Sequence, residues 1–160
     1  MVVIYPGSFD PVTYGHLDII DRCSKKFGKV IVSVLNNKSK KNMFTIEERV
    51  EMLKRVLESY DNVEVDTFSG LLVDYAEKKH CTTMIRGLRA ISDFEYEMQM
   101  ALVNKKLVDD IETFFMASNG KYAYLSSSIV KEVAMFGGNI SCFVPDIVEK
   151  ALKEKIKEGN

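Results

Sequence analysis

Five short apolar runs, each followed by a segment of helical periodicity, constrain the fold of this chain more than any other feature. Runs of this length that are apolar at nearly every position are typical of strands buried on both faces of a parallel sheet. A helix between successive parallel strands forms a right-handed crossover and covers one face of the sheet. We therefore predict an α/β fold, a doubly wound (Rossmann-like) parallel sheet of five strands with helices on both faces. The predicted strands are residues 2–5, 29–35, 62–68, 82–85 and 111–117.

Several helix starts are marked by capping residues. A Ser, Thr or Asp followed three residues later by Glu can satisfy two backbone N–H groups at a helix start. Ser126 or Ser127 is expected to cap another helix, which ends near Gly137 and Gly138. The predicted capping boxes are Thr45 with Glu48, Ser92 with Glu95, and Asp146 with Glu149.

Composition excludes several classes of protein. The chain has 160 residues, which predicts one domain, and its net charge of -1 gives no overall field that favours nucleic acid. Cys23, Cys81 and Cys142 lie far apart and lack metal-like spacing with the histidines, so we expect reduced thiols. No apolar stretch approaches the roughly 20 residues that span a bilayer. We therefore expect a cytoplasmic protein with neither a membrane nor a nucleic-acid partner.

The loop after the first predicted strand, "YPGSFDPVTYGH" (5–16), concentrates residues with special backbone or chemical properties. Its glycines let backbone amides approach a ligand closely, and the following helix start offers unpaired N–H groups. Ser8 and His16 can donate hydrogen bonds to a phosphate. The same residues would also suit a tight strand-to-helix turn with local capping. The loop lacks both the G-x-G-x-x-G and the Walker patterns, which argues against ordinary dinucleotide or Walker-type binding.

Three further segments with cationic or hydroxyl side chains follow other predicted strands. Taken alone, a lysine run is usually a solvated surface, paired arginines usually form surface ion pairs, and serines usually cap helices. Because the carboxyl ends of parallel strands meet at one edge of a sheet, we expect these segments to form one cleft with the opening loop. They are "NKSKKNMF" (37–44), "IRGLRAISDFEYE" (85–97) and "YLSSSIVKEV" (124–133).

These segments resemble the motifs of one family. "TYGH" (13–16) is similar to the T-x-G-H signature of the nucleotidylyltransferase superfamily, and "SSSIVK" (126–131) to its S-S-S-x-x-[RK] element. Together with "SKKNMFTIEERV" and "IRGLRAISDFEYEMQMA", they resemble bacterial phosphopantetheine adenylyltransferases over nearly the whole chain. The resemblance implies a single nucleotidylyltransferase domain over residues 1–160. It also implies transfer of AMP from ATP to 4′-phosphopantetheine, which gives dephospho-coenzyme A and pyrophosphate.

The resemblance also implies roles for individual residues. His16 would stabilise charge at the α-phosphate, and Lys40 would hold the attacking phosphate. The implied catalytic residues are His16, Lys40, Arg89 and Ser127. The implied ATP-binding residues are Ser8, Phe9, His16, Gly87, Leu88, Arg89, Glu97, Tyr122, Ala123, Tyr124, Leu125, Ser126, Ser127 and Ser128. The implied phosphopantetheine-binding residues are Ser8, Lys40, Leu71, Leu72, Arg86, Asn104 and Glu132.

The resemblance further implies Mg²⁺ bound with ATP, a homohexamer, and feedback inhibition by coenzyme A. Asp10 is the nearest carboxylate for a metal, but no cluster of carboxylates indicates a site built by the protein. Lys131 stands where more distant members of the superfamily often have arginine, which leaves its role open.

Three alternative functions remain open at this point. One is adenylyl or cytidylyl transfer to another phosphate acceptor, such as nicotinamide mononucleotide or glycerol phosphate. A second is a non-catalytic nucleotide or coenzyme A sensor. RNA binding is a third, although the chain lacks a basic stripe interleaved with aromatic residues.

Overall fold

Five parallel strands form a single sheet in the computed structural model, which describes residues 1–36, 41–89 and 91–159. All five predicted strands are confirmed, and the second has the predicted bounds. The largest difference is at β1 and β4, which run two and three residues past their predicted ends because the backbone ladder continues through Pro6–Gly7 and Arg86–Leu88. The strands are β1 Val2–Gly7, β2 Lys29–Leu35, β3 Val63–Phe68, β4 Thr83–Leu88 and β5 Glu112–Ala117.

The strand order is β3-β2-β1-β4-β5, so the direction of winding reverses between β1 and β4. β1 pairs with β2 along its whole length, from Val2 opposite Lys29 to Gly7 opposite Val34. In an open parallel sheet, a crevice forms at the carboxyl ends of the strands where the order reverses. The loops after β1 and β4 therefore flank the expected position of a ligand site.

Helices follow all five strands and cover both faces of the sheet, as predicted. In β1, Val3 and Ile4 are both fully buried, but they belong to two separate hydrophobic clusters because successive side chains point to opposite faces. Among the described residues, no helix is long and apolar enough to cross a bilayer. The helices are α1 Tyr14–Ser24, α2 Ile46–Val56, α3 Leu72–Lys78, α4 Ile91–Leu107, α5 Ser127–Met135 and α6 Asp146–Gly159.

Two of the cap predictions are confirmed and one is wrong. Thr45 and Glu48 form the predicted capping box, and Ser126 caps α5 by accepting a hydrogen bond from the Ile129 N–H at 3.2 Å. The predicted cap Asp146 is instead the first residue of α6. The predicted cap of α4 rests on the side chain of Ser92, which is outside the part of the chain that the structure describes. An acidic residue stabilises a helix both as its N-cap and within its first turn, where it interacts with the positive end of the helix dipole. The spacing of a capping box therefore does not by itself show at which residue the helix begins.

Candidate active site

A cavity of about 340 Å³ opens at the predicted edge of the sheet, between the carboxyl ends of β1 and β4. Its volume lies in the range of small-molecule sites. All four predicted segments contribute to its lining, as expected, although segment 37–44 does so only through Asn42, which the sequence analysis does not single out. The predicted lining residues are Ser8, Phe9, His16, Arg86, Gly87, Arg89, Glu97, Leu125, Ser126, Ser127 and Ser128.

His16 lies in the first turn of α1, where it takes part in a capping box with Thr13. The Thr13 N–H donates to His16 Nδ1 at 3.1 Å, and the Thr13 hydroxyl oxygen accepts from the His16 N–H at 3.4 Å. Because a backbone N–H can only donate, Nδ1 is the unprotonated nitrogen of the ring. The neutral imidazole therefore carries its proton on Nε2, and the ring lines the cavity as a hydrogen-bond donor.

The electrostatic surroundings of His16 favour this neutral form. Burial is the main cause that lowers the His16 pKa, and the positive charges of Arg89 and Arg86 lower it further, to about 4. A charged imidazole would be poorly solvated in this position and would lie close to two cations. In the free protein, His16 can therefore contribute a directed N–H at neutral pH without adding a positive charge.

A direct titration tests this protonation state. In a His80→Asn variant the one remaining imidazole is that of His16, so its ring C–H signals are readily assigned by NMR. These signals are expected to stay constant from pH 8 to pH 5.5 and to shift only as the pH approaches about 4. Because the folded-state pKa is below the unfolded value of about 6.5, the free energy of unfolding should fall as the pH decreases from 6.5 to 4. A midpoint near 6.5 would contradict the assignment.

Arg86, at the end of β4, is paired with Glu97 of α4 in a two-pronged ion pair. Arg86 Nε donates to Glu97 Oε2 at 2.5 Å and Nη2 donates to Oε1 at 2.6 Å, while Nη1 donates to the Pro6 carbonyl at 2.8 Å. Burial would lower the Arg86 pKa, but the hydrogen bonds and charge of Glu97 hold it above its usual value. Glu97 thus fixes the guanidinium against β1, a contact that the sequence did not predict. The predicted roles of both residues remain predictions.

The predicted serine segment forms the start of α5 and is tied to the opening loop. Ser126 is the N-cap, and the Ser127 hydroxyl donates to the Pro11 carbonyl at 2.8 Å. Arg89 Nη1 donates to the Leu125 carbonyl at 3.3 Å, directly before this helix start. A helix start with its unpaired N–H groups and an adjacent arginine together suit a phosphate. The Ser127 hydroxyl can donate a hydrogen bond to a ligand only if its hydrogen bond to the Pro11 carbonyl is broken.

Asp10 and Lys131 form a buried ion pair that lines the same cavity. Lys131 Nζ lies 2.9 Å from Asp10 Oδ2, and the Asp10 side chain is 5% exposed. Asp10 also accepts hydrogen bonds from the N–H groups of Met43 at 3.0 Å and Phe44 at 2.9 Å. Burial alone would raise the Asp10 pKa, but these hydrogen bonds and the lysine hold it below its usual value. This arrangement gives Lys131, whose role was open, a definite partner.

The other predicted residues that the structure describes do not line the cavity. Lys40 is outside the described residues. Tyr122 stacks on Tyr14 with ring centroids 6.2 Å apart, and Asn104 is buried in α4. Leu71 is exposed at the start of α3. The predicted residues that are described but do not line the cavity are Leu71, Leu72, Leu88, Asn104, Tyr122, Ala123, Tyr124 and Glu132.

Sequence reasoning did not select several residues that line the cavity. Asn42 lies in the predicted segment 37–44 but carries no charge that would distinguish it there. Ser118 directly follows β5 and carries a polar side chain, so the strand-end argument could have found it. Two buried residues, Tyr5 of β1 and Ile19 of α1, also line the cavity. Nothing in the sequence pattern distinguishes these two positions from other positions of the core.

Comparison with known proteins identifies relatives over almost the full chain. The family model described as cytidylyltransferase-like matches residues 4–133. A protein of Caldanaerobacter subterraneus named phosphopantetheine adenylyltransferase is 60% identical over 99% of both chains. A protein with the same name from Alkaliphilus metalliredigens is 56% identical over 96% of this chain and 98% of its own. Another, from Desulfosudis oleivorans, is 57% identical over 97% of this chain and 92% of its own.

Solved structures with low sequence identity share the fold. A putative nicotinate-nucleotide adenylyltransferase from Vibrio parahaemolyticus superposes with a TM-score of 0.68 at 16% identity, over 94% of this chain and 97% of its own. A nicotinic acid mononucleotide adenylyltransferase from Plasmodium falciparum gives 0.68 at 15% identity, over 99% and 95%. These likenesses support the doubly wound architecture.

Proposed function

Because the chain belongs to the phosphopantetheine adenylyltransferase family, we propose that it transfers the adenylyl group of ATP to 4′-phosphopantetheine. The products are dephospho-coenzyme A and pyrophosphate, so the reaction serves coenzyme A biosynthesis. One observation carries the proposal: a single cavity brings together a neutral imidazole, two arginines and a helix start. The near-full-length relatives supply the identity of the acceptor.

The chemistry needs alignment and charge stabilisation more than a base. The attacking group is a phosphate oxyanion, which forms a bond to the α-phosphorus of ATP as the bond to the pyrophosphate breaks. No proton has to be removed from the nucleophile. Two anions must instead be held together in line, and charge must be stabilised on the α-phosphate oxygens. We assign the first task to Lys40, Arg86, Arg89 and the start of α5, and the second to the Nε2–H of His16.

We propose that Mg²⁺ binds together with ATP. In this part of the chain, no group of three or more His, Cys, Asp or Glu side chains could hold a metal. Asp10 Oδ2 accepts from Met43 and Lys131, and Oδ1 accepts from Phe44. We therefore propose that the ATP phosphates hold the ion, which offsets their negative charge.

A product assay tests the proposed reaction. With Mg-ATP and 4′-phosphopantetheine, the protein is expected to release pyrophosphate and dephospho-coenzyme A in a 1:1 ratio, the latter identified by mass. Nicotinamide mononucleotide and glycerol phosphate should neither replace the acceptor nor compete with it. A His80→Asn variant should match the wild type. ATP binding by calorimetry without any product would instead favour a sensor.

Coenzyme A is the expected feedback ligand. It contains both the pantetheine arm and an adenine nucleotide, so it matches the combined shape of the two substrates. We propose that it occupies the same cavity and competes with ATP and 4′-phosphopantetheine. A cytoplasmic location is proposed on the same grounds, since ATP and coenzyme A are used there.

A homohexamer is proposed from the family and is supported by an exposed apolar surface. Tyr96, Leu102 and Val103 of α4 are 63%, 63% and 50% exposed, and Phe114 of the edge strand β5 is 54% exposed. A helix that is apolar on more than one face is usually covered on each of them. Monomers rarely expose large contiguous apolar surface, so a second copy of the chain is the expected cover.

Sedimentation measures the assembly directly. The wild type is expected at six times the chain mass of 18.2 kDa. Leu102→Glu should reduce the mass of the assembly because it buries a charge in the contact. Ser59→Glu, which adds the same charge at an exposed turn after α2, is the control and should leave the mass unchanged. A monomeric wild type at micromolar concentration would refute the hexamer.

A further inference from the structure

Arg49 of α2 is a buried cation that the reaction described above does not use. It is 2% exposed and does not line the cavity. Its Nη1 donates to the carbonyls of Ser8 at 2.8 Å and Leu35 at 3.2 Å, and its Nε donates to the Thr45 carbonyl at 3.3 Å. In the part of the chain that the structure describes, its hydrogen-bond partners are all main-chain carbonyls. Burying a charge in this way is costly, which points to a specific role.

Phe9, the residue after Ser8, has a strained backbone. Its φ is +46°, in the left-handed region that side-chain-bearing residues rarely adopt. This conformation places the buried ring between the main chain at Gly7 and the imidazole of His16. A Cβ at Gly7 would lie 2.9 Å from the Phe9 ring, and the rings of Phe9 and His16 are 5.0 Å apart at 64°. The strained residue therefore supports the proposed catalytic side chain.

Buried polar groups hold both neighbours of Phe9. On one side, the Ser8 carbonyl accepts from Arg49. On the other side, the Asp10 carboxylate is fixed by Lys131 and by the N–H groups of Met43 and Phe44. A strained backbone persists when its surroundings determine it from several directions. If either anchor is lost, the loop can relax and the Phe9 ring can move away from His16.

We propose that Arg49 is a positioning residue for adenylyl transfer: by binding the Ser8 carbonyl it holds Phe9 in its left-handed conformation and so fixes the ring of His16. The effect is indirect, because Arg49 touches neither the cavity nor the imidazole. The inference rests on the proposed function only where kcat is measured. The position of the His16 ring can be measured by NMR whether or not the protein transfers an adenylyl group.

The first test compares two substitutions of Arg49 with a matched control on the same helix. Arg49→Met removes the three hydrogen bonds to main-chain carbonyls, and Arg49→Lys keeps the charge but loses the planar guanidinium. Both are expected to lower kcat at least tenfold, to change KM for ATP less than threefold, and to shift the His16 ring C–H signals. Arg55→Met, at an exposed position paired with Glu51, should leave kcat within twofold and the signals unchanged.

The second test asks whether the effect passes through Phe9. Phe9→Leu keeps an apolar side chain but removes the ring that contacts His16. Arg49→Lys should then cost less than twofold in kcat when it is added to Phe9→Leu. An equal cost in both backgrounds would indicate a general structural role and would overturn the proposal.

The outcomes separate this inference from the proposed function. Folded Arg49 variants with wild-type kcat and unchanged His16 signals would overturn the inference. If Arg49→Met does not fold, as judged by thermal melting, the Arg49→Lys results decide. If the wild type transfers no adenylyl group, the proposed function fails, and the His16 signals alone decide whether Arg49 positions the ring.

Discussion

His16→Ala is expected to lower kcat for adenylyl transfer about 10²- to 10³-fold, while the Kd for ATP changes less than about threefold. The imidazole is neutral, and Thr13 engages its Nδ1, so it contributes one directed N–H donor. Such a donor stabilises the transition state, in which negative charge accumulates on the α-phosphate oxygens, much more than it stabilises bound ATP in the ground state. Steady-state kinetics together with calorimetric ATP titrations separate the two effects.

A second substitution controls for the structural role of His16. Alanine at this position also removes the side-chain acceptor that the capping box of α1 provides for the Thr13 N–H. His16→Gln restores an acceptor of the kind that capping boxes use at this position. It should therefore recover thermal stability without recovering kcat. If either variant loses ATP affinity and keeps its turnover, the imidazole acts in ground-state binding and the assigned role is wrong.

The sheet and the place of the site follow from sequence because both depend on local patterns. Buried strands such as "KVIVSVL" are apolar along their whole length, and parallel pairing brings all their carboxyl ends to one edge. The position of the cavity therefore needs only the strand assignments and the rule for parallel sheets. Thr45 and Glu48 were predictable for the same reason, since a capping box lies within four residues.

Contacts between distant residues could not be read from the sequence. Asp10 and Lys131 are separated by 121 positions, and Arg49 meets Ser8 across 41. Each of these residues has an ordinary role in its local context, as a loop aspartate or a helical cation. The sequence suggested a possible metal contact for Asp10 and left Lys131 open, because only the folded chain places them together. The same limit applies to the pairing of Arg86 with Glu97.

Asp10→Asn is expected to destabilise the protein by about 3–5 kcal/mol, the usual cost of removing one partner of a buried ion pair. Asp10 accepts hydrogen bonds from Met43, Phe44 and Lys131. The NH₂ group of an asparagine would face at least one of these donors, with which it cannot form a hydrogen bond. Lys131 would also be left as a largely buried charge without its carboxylate. Denaturant unfolding measures the loss, and Asp61→Asn at an exposed turn is the matched control, expected to cost under 0.5 kcal/mol.

A double variant and a pH series identify the cause of this loss. Adding Lys131→Met to Asp10→Asn removes the unpaired charge and should recover part of the stability, although not the bonds to Met43 and Phe44. Because the folded-state pKa of Asp10 is lowered, its contribution exists above the unfolded value of about 3.9 and disappears as the pH falls through the folded value. The difference in unfolding free energy between wild type and Asp10→Asn should therefore shrink below pH 4. A loss under 1 kcal/mol at pH 7 would mean that the opening loop does not depend on this anchor.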